Sequence, residues 1–196
     1  MPSVVRMEHM LLRTTWRVKM GSQDQVLSHD MFEAEASLFT RAGDKLHVRP
    51  VKAEDRPLVV AFFKQLTEED LRNRFLTTLS EVDADRIDQH VRADYPEAMN
   101  FLAFHDDELV ALASLNGAAD GKVEIALATL PQWKKRGVSW ALFGHAINYA
   151  CEHGAKQIVS TERTGNRAAI TLEHEMGFGI RLIDAATGEV SATKSV

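Results

Sequence analysis

The segment Gln132-Trp133-Lys134-Lys135-Arg136-Gly137-Val138-Ser139 is the first stretch of this chain whose residue types and spacing spell out a chemistry. It lies between a strand-like run and a broad apolar helix pattern. A strand-to-helix turn leaves backbone N–H groups unpaired at the positive end of the helix dipole. Such a turn receives an anion, and Gly137 lets a phosphate come close to the backbone. Lys134, Lys135 and Arg136 add side-chain charge to the same spot. The same residues also suit a solvated basic turn ahead of an ordinary helix, so the segment alone does not decide.

Other arrangements carry less. Eight histidines are present, but His174-Glu175 runs into Met176-Gly177-Phe178 and makes no His-Glu-x-x-His zinc motif. With one cysteine and scattered histidines, no metal site is expected. Gly177-Phe178-Gly179 lacks the third glycine of a dinucleotide fingerprint and follows a helix pattern rather than a strand. Gly137-Val138-Ser139-Trp140-Ala141 lacks the last glycine of a nucleophile elbow. Cys151 falls on an apolar helical stripe and reads as packing.

These residues sit in a chain of 196 residues with 23 Lys and Arg against 28 Asp and Glu, a formal net charge of −5. Apolar residues make 45% and charged residues 26%, which excludes a disordered tail, a fibre or a disulfide scaffold. The acidic balance argues against nucleic acid as a partner. No apolar run approaches the roughly 18 residues of a membrane span, so no membrane partner is expected. Arg6, Arg13 and Arg17 are followed by no continuous apolar stretch, so no signal peptide is expected. The lone Cys151 fits a reducing compartment, and the expected location is cytoplasmic.

Residues 1–45 read apart from the rest, as an extension of unknown role. Leu12, Thr14, Trp16, Val18 and Met20 alternate with polar residues as in a half-buried strand, and Gly21 to Asp24 supplies turn chemistry. Residues 46–196 read as one domain. Leu46 to Val51 predicts a strand, Ala53 to Gln65 a helix, and Thr67 with Asp70 a capping box for a second helix through Phe75. Ser80 and Asp83 are candidate caps of a third. Met99 to Phe104, Leu109 to Leu115 and Lys122 to Thr129 predict three strands joined by short polar turns, as antiparallel hairpins require. Val138 to His153 is a helix apolar over a wide face, and Gln157 to Thr161 a strand. Asn166 to Met176 is a helix stopped by Gly177, followed by a hairpin around Thr187-Gly188. The order gives an α+β chain with one late β-α-β unit, in an open mixed sheet with helices on its faces.

Read with its neighbours, Lys134-Lys135-Arg136-Gly137-Val138-Ser139 resembles the Q/R-x-x-G-x-G/A pyrophosphate loop of the GCN5-related N-acetyltransferase (GNAT) family. Asn166-Arg167-Ala168-Ala169 with Leu172 and Met176-Gly177-Phe178 resembles that family's N-x-x-A…L…G-F motif, and Val48 to Asp55 its first strand and helix start. Order and intervals agree over about Leu46 to Ile183. Thr67 to Phe75, ending Arg74-Phe75, and Val123 to Leu127 are similar to segments of bacterial protein-lysine acetyltransferases. Three departures stand out. Ser139 replaces Gly or Ala, Lys134 replaces Gln or Arg, and Glu173 occupies the position of a frequent general-acid tyrosine.

The resemblance implies a mostly antiparallel central sheet with helices on both faces and acetyl-CoA as co-substrate. It implies that Lys134, Lys135, Arg136, Gly137, Val138, Ser139 and Trp140 hold the pyrophosphate. It implies that Leu127, Ala128 and Thr129 pair with the pantetheine arm and that Asn166 contacts it. Glu124 is the implied general base. An amine with a reference pKa near 10.4 must lose a proton before it attacks a thioester. For Glu124 to take that proton near neutrality, burial would have to raise its carboxyl; the other reading is a strand carboxylate facing water. The expected acceptor is a protein lysine, with a small-molecule amine as the alternative. A non-catalytic CoA-binding module of the same fold is the reading from a different class, and a homodimer is left open.

Overall fold

In the computed structural model the described residues are 34–79, 81–95, 97–117 and 120–196. The strand read at Leu12 to Met20, the turn after it and the cap at Ser80 lie outside them.

Polar turns every few residues between apolar runs fold the middle of the chain into a meander. Strands β1 (Ala36–Phe39), β2 (Lys45–Pro50), β3 (Ala93–Asp94), β4 (Ala98–His105), β5 (Glu108–Gly117) and β6 (Lys122–Thr129) come first, followed by β7 (Gln157–Arg163), β8 (Gly179–Asp184) and β9 (Glu189–Ser195). They form one sheet in the order β1-β2-β4-β5-β6-β7-β9-β8, with β3 added to β4. Every pairing is antiparallel except β6 with β7. Among the described residues the sheet starts at Ala36, ahead of the Leu46 at which the sequence places the start of the domain, because β1 pairs with β2 from Ala36↔Val48 to Phe39↔Lys45. β9 lies between β7 and β8, so the last hairpin closes the sheet by a return strand.

The helices are α1 (Arg56–Phe63), α2 (Glu68–Phe75), α3 (Ala84–Gln89), α4 (Val138–Glu152) and α5 (Arg167–Glu175). The capping box before α2 is formed as read. Thr67 Oγ1 accepts from Asp70 N–H at 3.1 Å, and Asp70 Oδ2 accepts from Thr67 N–H at 3.2 Å. Asp83 caps α3 by accepting from Arg86 N–H at 2.9 Å. Successive strand residues point to opposite faces, and β4 shows what each face receives. Phe101 meets His145 and Tyr149 of α4, while its neighbour Asn100 donates to the Gln89 carbonyl at the end of α3. Helices thus cover both faces. Leu142, Phe143, Ala146, Ile147 and Ala150 of α4 are buried. At about 1.5–3 kcal/mol for each large apolar side chain taken from water, this face fixes α4 on the sheet. Among the described residues no helix is long and apolar enough to cross a membrane.

Candidate active site

The single parallel pairing sets up the site. β6 and β7 are in register only from Lys122↔Gln157 to Glu124↔Val159. Past Glu124 the strands diverge, and Ile125 to Thr129 keep a partner in β5 but none on the β7 side. Five residues at about 3.3 Å each leave some 17 Å of strand edge with unpaired backbone groups. Leu127, Ala128 and Thr129 lie on this edge.

The edge leads through a short turn into the start of α4. Gly137 is the N-cap of α4, with φ +87°, and provides no side chain to occupy the first N–H groups. A Cβ there would lie 2.9 Å from the Arg41 backbone N, so conformation and neighbour both require glycine. Ser139, the departure from Gly or Ala, has a use: its Oγ lies 3.0 Å from Thr129 Oγ1 and ties α4 to the end of β6. Val138 is fully buried and Trp140 half-buried. The three bases are less free than their sequence implies. Lys134 pairs with Asp70. Arg136 Nε donates to Asp44 at 3.1 Å, its guanidinium lies 4.1 Å from the Trp133 ring, and it holds the Asp44 carboxyl below the usual range. Lys135 is exposed, with φ +62°. A further cation, Arg41, lies 3.9 Å from the Trp140 ring; the sequence reading did not single it out.

At the other end of the edge, Glu124 stands opposite Asn116 of β5 and is exposed to solvent. Of the two settings the sequence allows, this is the strand carboxylate facing water. Beside it runs a polar network that joins four elements. Arg74 Nη2 donates to Ser114 Oγ at 2.7 Å and lies 2.8 Å from His90 Nε2. Ser114 donates to Asn100 Oδ1 at 2.6 Å, and Asn100 Nδ2 donates to the Gln89 and Arg92 carbonyls. His90 Nδ1 lies 2.6 Å from the Arg86 carbonyl, which makes Nδ1 the donor and Nε2 the acceptor. Burial, and then the charge of Arg74, push His90 down to about 3, so it stays neutral. Burial pulls Arg74 down to about 10, against the opposing pull of Glu124 and Glu162. Arg74, Phe75, Arg86, His90, Ser114 and Asn116 line a cavity of about 130 Å³. Because Asn116 pairs with Glu124, this cavity opens beside the implied base.

On the β7 side, Asn166 caps α5 by accepting from Ala169 N–H at 3.5 Å and donates to Glu162 Oε2 at 2.7 Å. Glu173 is 1% exposed. Chain order and pairing set Glu124 and the Leu127–Thr129 edge on β6, the 134–140 loop after the end of β6, and Asn166 after the end of β7, the parallel neighbour of β6. Arg41, Arg74, Ser160 and Glu162 stand nearby without having been given a role from the sequence, although Arg74 and Ser160 fall in segments predicted as helix and strand. Among the described residues no group of three or more His, Cys, Asp or Glu is placed to hold a metal ion.

Comparisons with known proteins agree with this geometry. The pattern described as the Acetyltransferase (GNAT) family matches residues 62–178. Acetyltransferase PA5475 of Pseudomonas aeruginosa is 30% identical over 141 residues, 69% of this chain and 76% of that protein. The GNAT domain of S. lividans PAT shares the fold with TM-score 0.76 and 22% identity, over 83% of this chain and 97% of that one. PaiA N-acetyltransferase of Thermoplasma acidophilum, solved with coenzyme A, has TM-score 0.58 and 14% identity, over 77% of this chain and 99% of that one. A diverging β6–β7 pair, an uncapped α4 and a match spanning most of the sheet lead to one conclusion: this chain belongs to the GNAT acetyltransferase family.

Proposed function

We propose that the chain moves the acetyl group of acetyl-CoA directly onto a primary amine, a protein lysine in the first place, with Glu124 as general base. The observation that carries this reading is the continuous path from the uncapped start of α4, along the free edge of β6, to a carboxylate beside a polar cavity. The N–H groups of Val138, Ser139 and Trp140 receive the diphosphate, with Lys134, Lys135, Arg136 and Gly137 around them. Lys134 and Arg136 then share their charge between the ligand and the acids that already hold them. The edge at Leu127, Ala128 and Thr129 pairs with the pantetheine amides as a strand does, and Asn166, oriented by Glu162, meets the arm from the other wall. A backbone N–H at Leu127 faces the developing oxyanion.

The incoming ammonium must lose a proton before its nitrogen attacks. Glu124 takes it from a site that is wet in the free protein, so the acceptor itself must displace water there. The cavity beside Glu124 favours a second reading, in which a small-molecule amine is the acceptor. One experiment tests the common core. Thermal unfolding with acetyl-CoA at about 100 times its Kd should show about 2.7 kcal/mol of added stability; no shift at millimolar ligand refutes the reading. Labelled acetyl-CoA with lysine peptides against a panel of small amines then separates the acceptors.

A further inference from the structure

The β7 wall carries carboxyl groups that acetyl transfer as described leaves without a task. Glu162 lies on β7, three residues past Val159, the last residue paired with β6. It is half-buried and held on two sides: Oε2 accepts from Asn166 Nδ2 at 2.7 Å, and Ser160 Oγ stands 3.4 Å from Oε1. Behind it Glu173, from α5, is buried, and its Oε2 has no hydrogen-bond partner among the described residues. The Ser160 hydroxyl also acts on Glu173, drawing its carboxyl down against the effect of burial. An ionised oxygen buried without a partner is costly, and two neighbouring carboxylates cannot both ionise without repulsion. Burial, and then the charge of Glu173, raise Glu162 to about 8; burial raises Glu173 to about 7. These values belong to the pair, which keeps a proton at neutral pH. The groups acting on Glu162 are Ser160 on its own strand, Asn166 and Glu173 from the α5 segment, and Arg74 from α2, which pulls the other way; Val190 lies opposite on β9.

We propose that Glu162 is the acid that hands its proton to the departing sulfur of CoA, and that Glu173 is the positioning residue that keeps Glu162 protonated until then. The inference rests on the acetyl-transfer reading. The amine nitrogen forms the new bond to the carbonyl carbon, and the C–S bond breaks with its electron pair going to sulfur. The proton of Glu162 passes to that sulfur, which leaves a carboxylate and a neutral thiol. Two protons leave the nitrogen: Glu124 takes the first from the ammonium and passes it to water, and the second follows the same route once the C–N bond has formed. Water returns one to Glu162, and one is released. The donor suits its acceptor, because a thiol has a reference pKa of about 8.5 and proton transfer works best between groups of similar affinity.

The test uses the full chain and CoA itself. Affinity for CoA is measured by calorimetry, and ionisation of the bound thiol by the ultraviolet absorbance of its thiolate across pH. In the wild type the bound thiol should ionise at higher pH than free CoA, because the Glu162 carboxylate repels a thiolate beside it. Glu162→Gln should make the bound thiol about tenfold more acidic than in the wild type. In turnover with an amine acceptor, Glu162→Gln should lower kcat about 100-fold. Glu173→Gln should move the alkaline limb of kcat to lower pH; a limb that stays in place removes Glu173 from its role. Where Glu162→Gln does not fold, Glu162→Asp gives the same readout with a smaller change. Identical thiol titrations in wild type and variant overturn this inference alone, and a wild type that binds no CoA overturns the acetyl-transfer reading with it.

Discussion

The two strands that part after Glu124 and Val159 carry the same side chain in opposite settings. On β6, Glu124 stands in solvent, while on β7 Glu162 is half-buried against a fully buried Glu173. The strands are neighbours, paired up to Glu124 and Val159. The difference goes with what faces each carboxyl: Glu173 of α5 acts on Glu162, while the Glu124 side chain stays in solvent. Glutamate itself does not assign a proton task; burial and neighbours do. A wet carboxylate suits taking a proton from an arriving amine, and a buried, crowded one suits keeping a proton to give away.

The largest expected effect is on the wet wall. Glu124→Gln should lower kcat by about 10²–10⁴-fold while CoA affinity stays the same, read by steady-state kinetics and calorimetry. Unchanged turnover would leave the β6 wall without a base and end the contrast. Next is the anion end. Gly137→Ala places a methyl against the Arg41 backbone N and strains a positive φ, at a cost of about 1–3 kcal/mol. It should lower the melting temperature by several degrees and weaken CoA binding more than ten-fold.

The buried wall is tested without substrate. Glu162 and Glu173 ionise less readily folded than at their ordinary value of 4.5. The folded state therefore binds more protons, and stability is lost as pH rises from about 4.5 through about 8. Glu173→Gln should flatten that decline and raise the melting temperature at pH 8 relative to pH 5 by a few degrees. An unchanged slope means the carboxyls are not crowded after all. The smallest effect belongs to Ser139→Ala. It removes the hydroxyl bond to Thr129 for about 1 kcal/mol or less, and it should leave CoA affinity within a few-fold.

Much of the frame was legible because it is local. The capping box at Thr67 and Asp70, the hairpin turns and the β6-loop-α4 unit each depend on a few adjacent residues. The turn between β6 and α4 was legible by position, but not the pairing of its bases, since Lys134 and Arg136 find their acids at Asp70 and Asp44. Arg74 with Ser114, and Ser160 with Glu173, are contacts between residues far apart in sequence that only the finished sheet brings together. Their burial is a tertiary property, which no period or motif encodes. For the same reason the sequence leaves open whether Glu124 is buried or faces water, and the sheet leaves it in water.

The turn between β1 and β2 has a consequence for any shortened version of the protein. Its Arg41 backbone packs on Gly137, its Asp44 holds Arg136, and β1 covers the outer edge of β2. A chain begun at Leu46 would lose all three at once. Its ligand loop would lack a backing and β2 would become a bare edge open to pairing with other chains. Residues far from the reacting atoms thus act as scaffolding for the phosphate grip and as a guard against self-association.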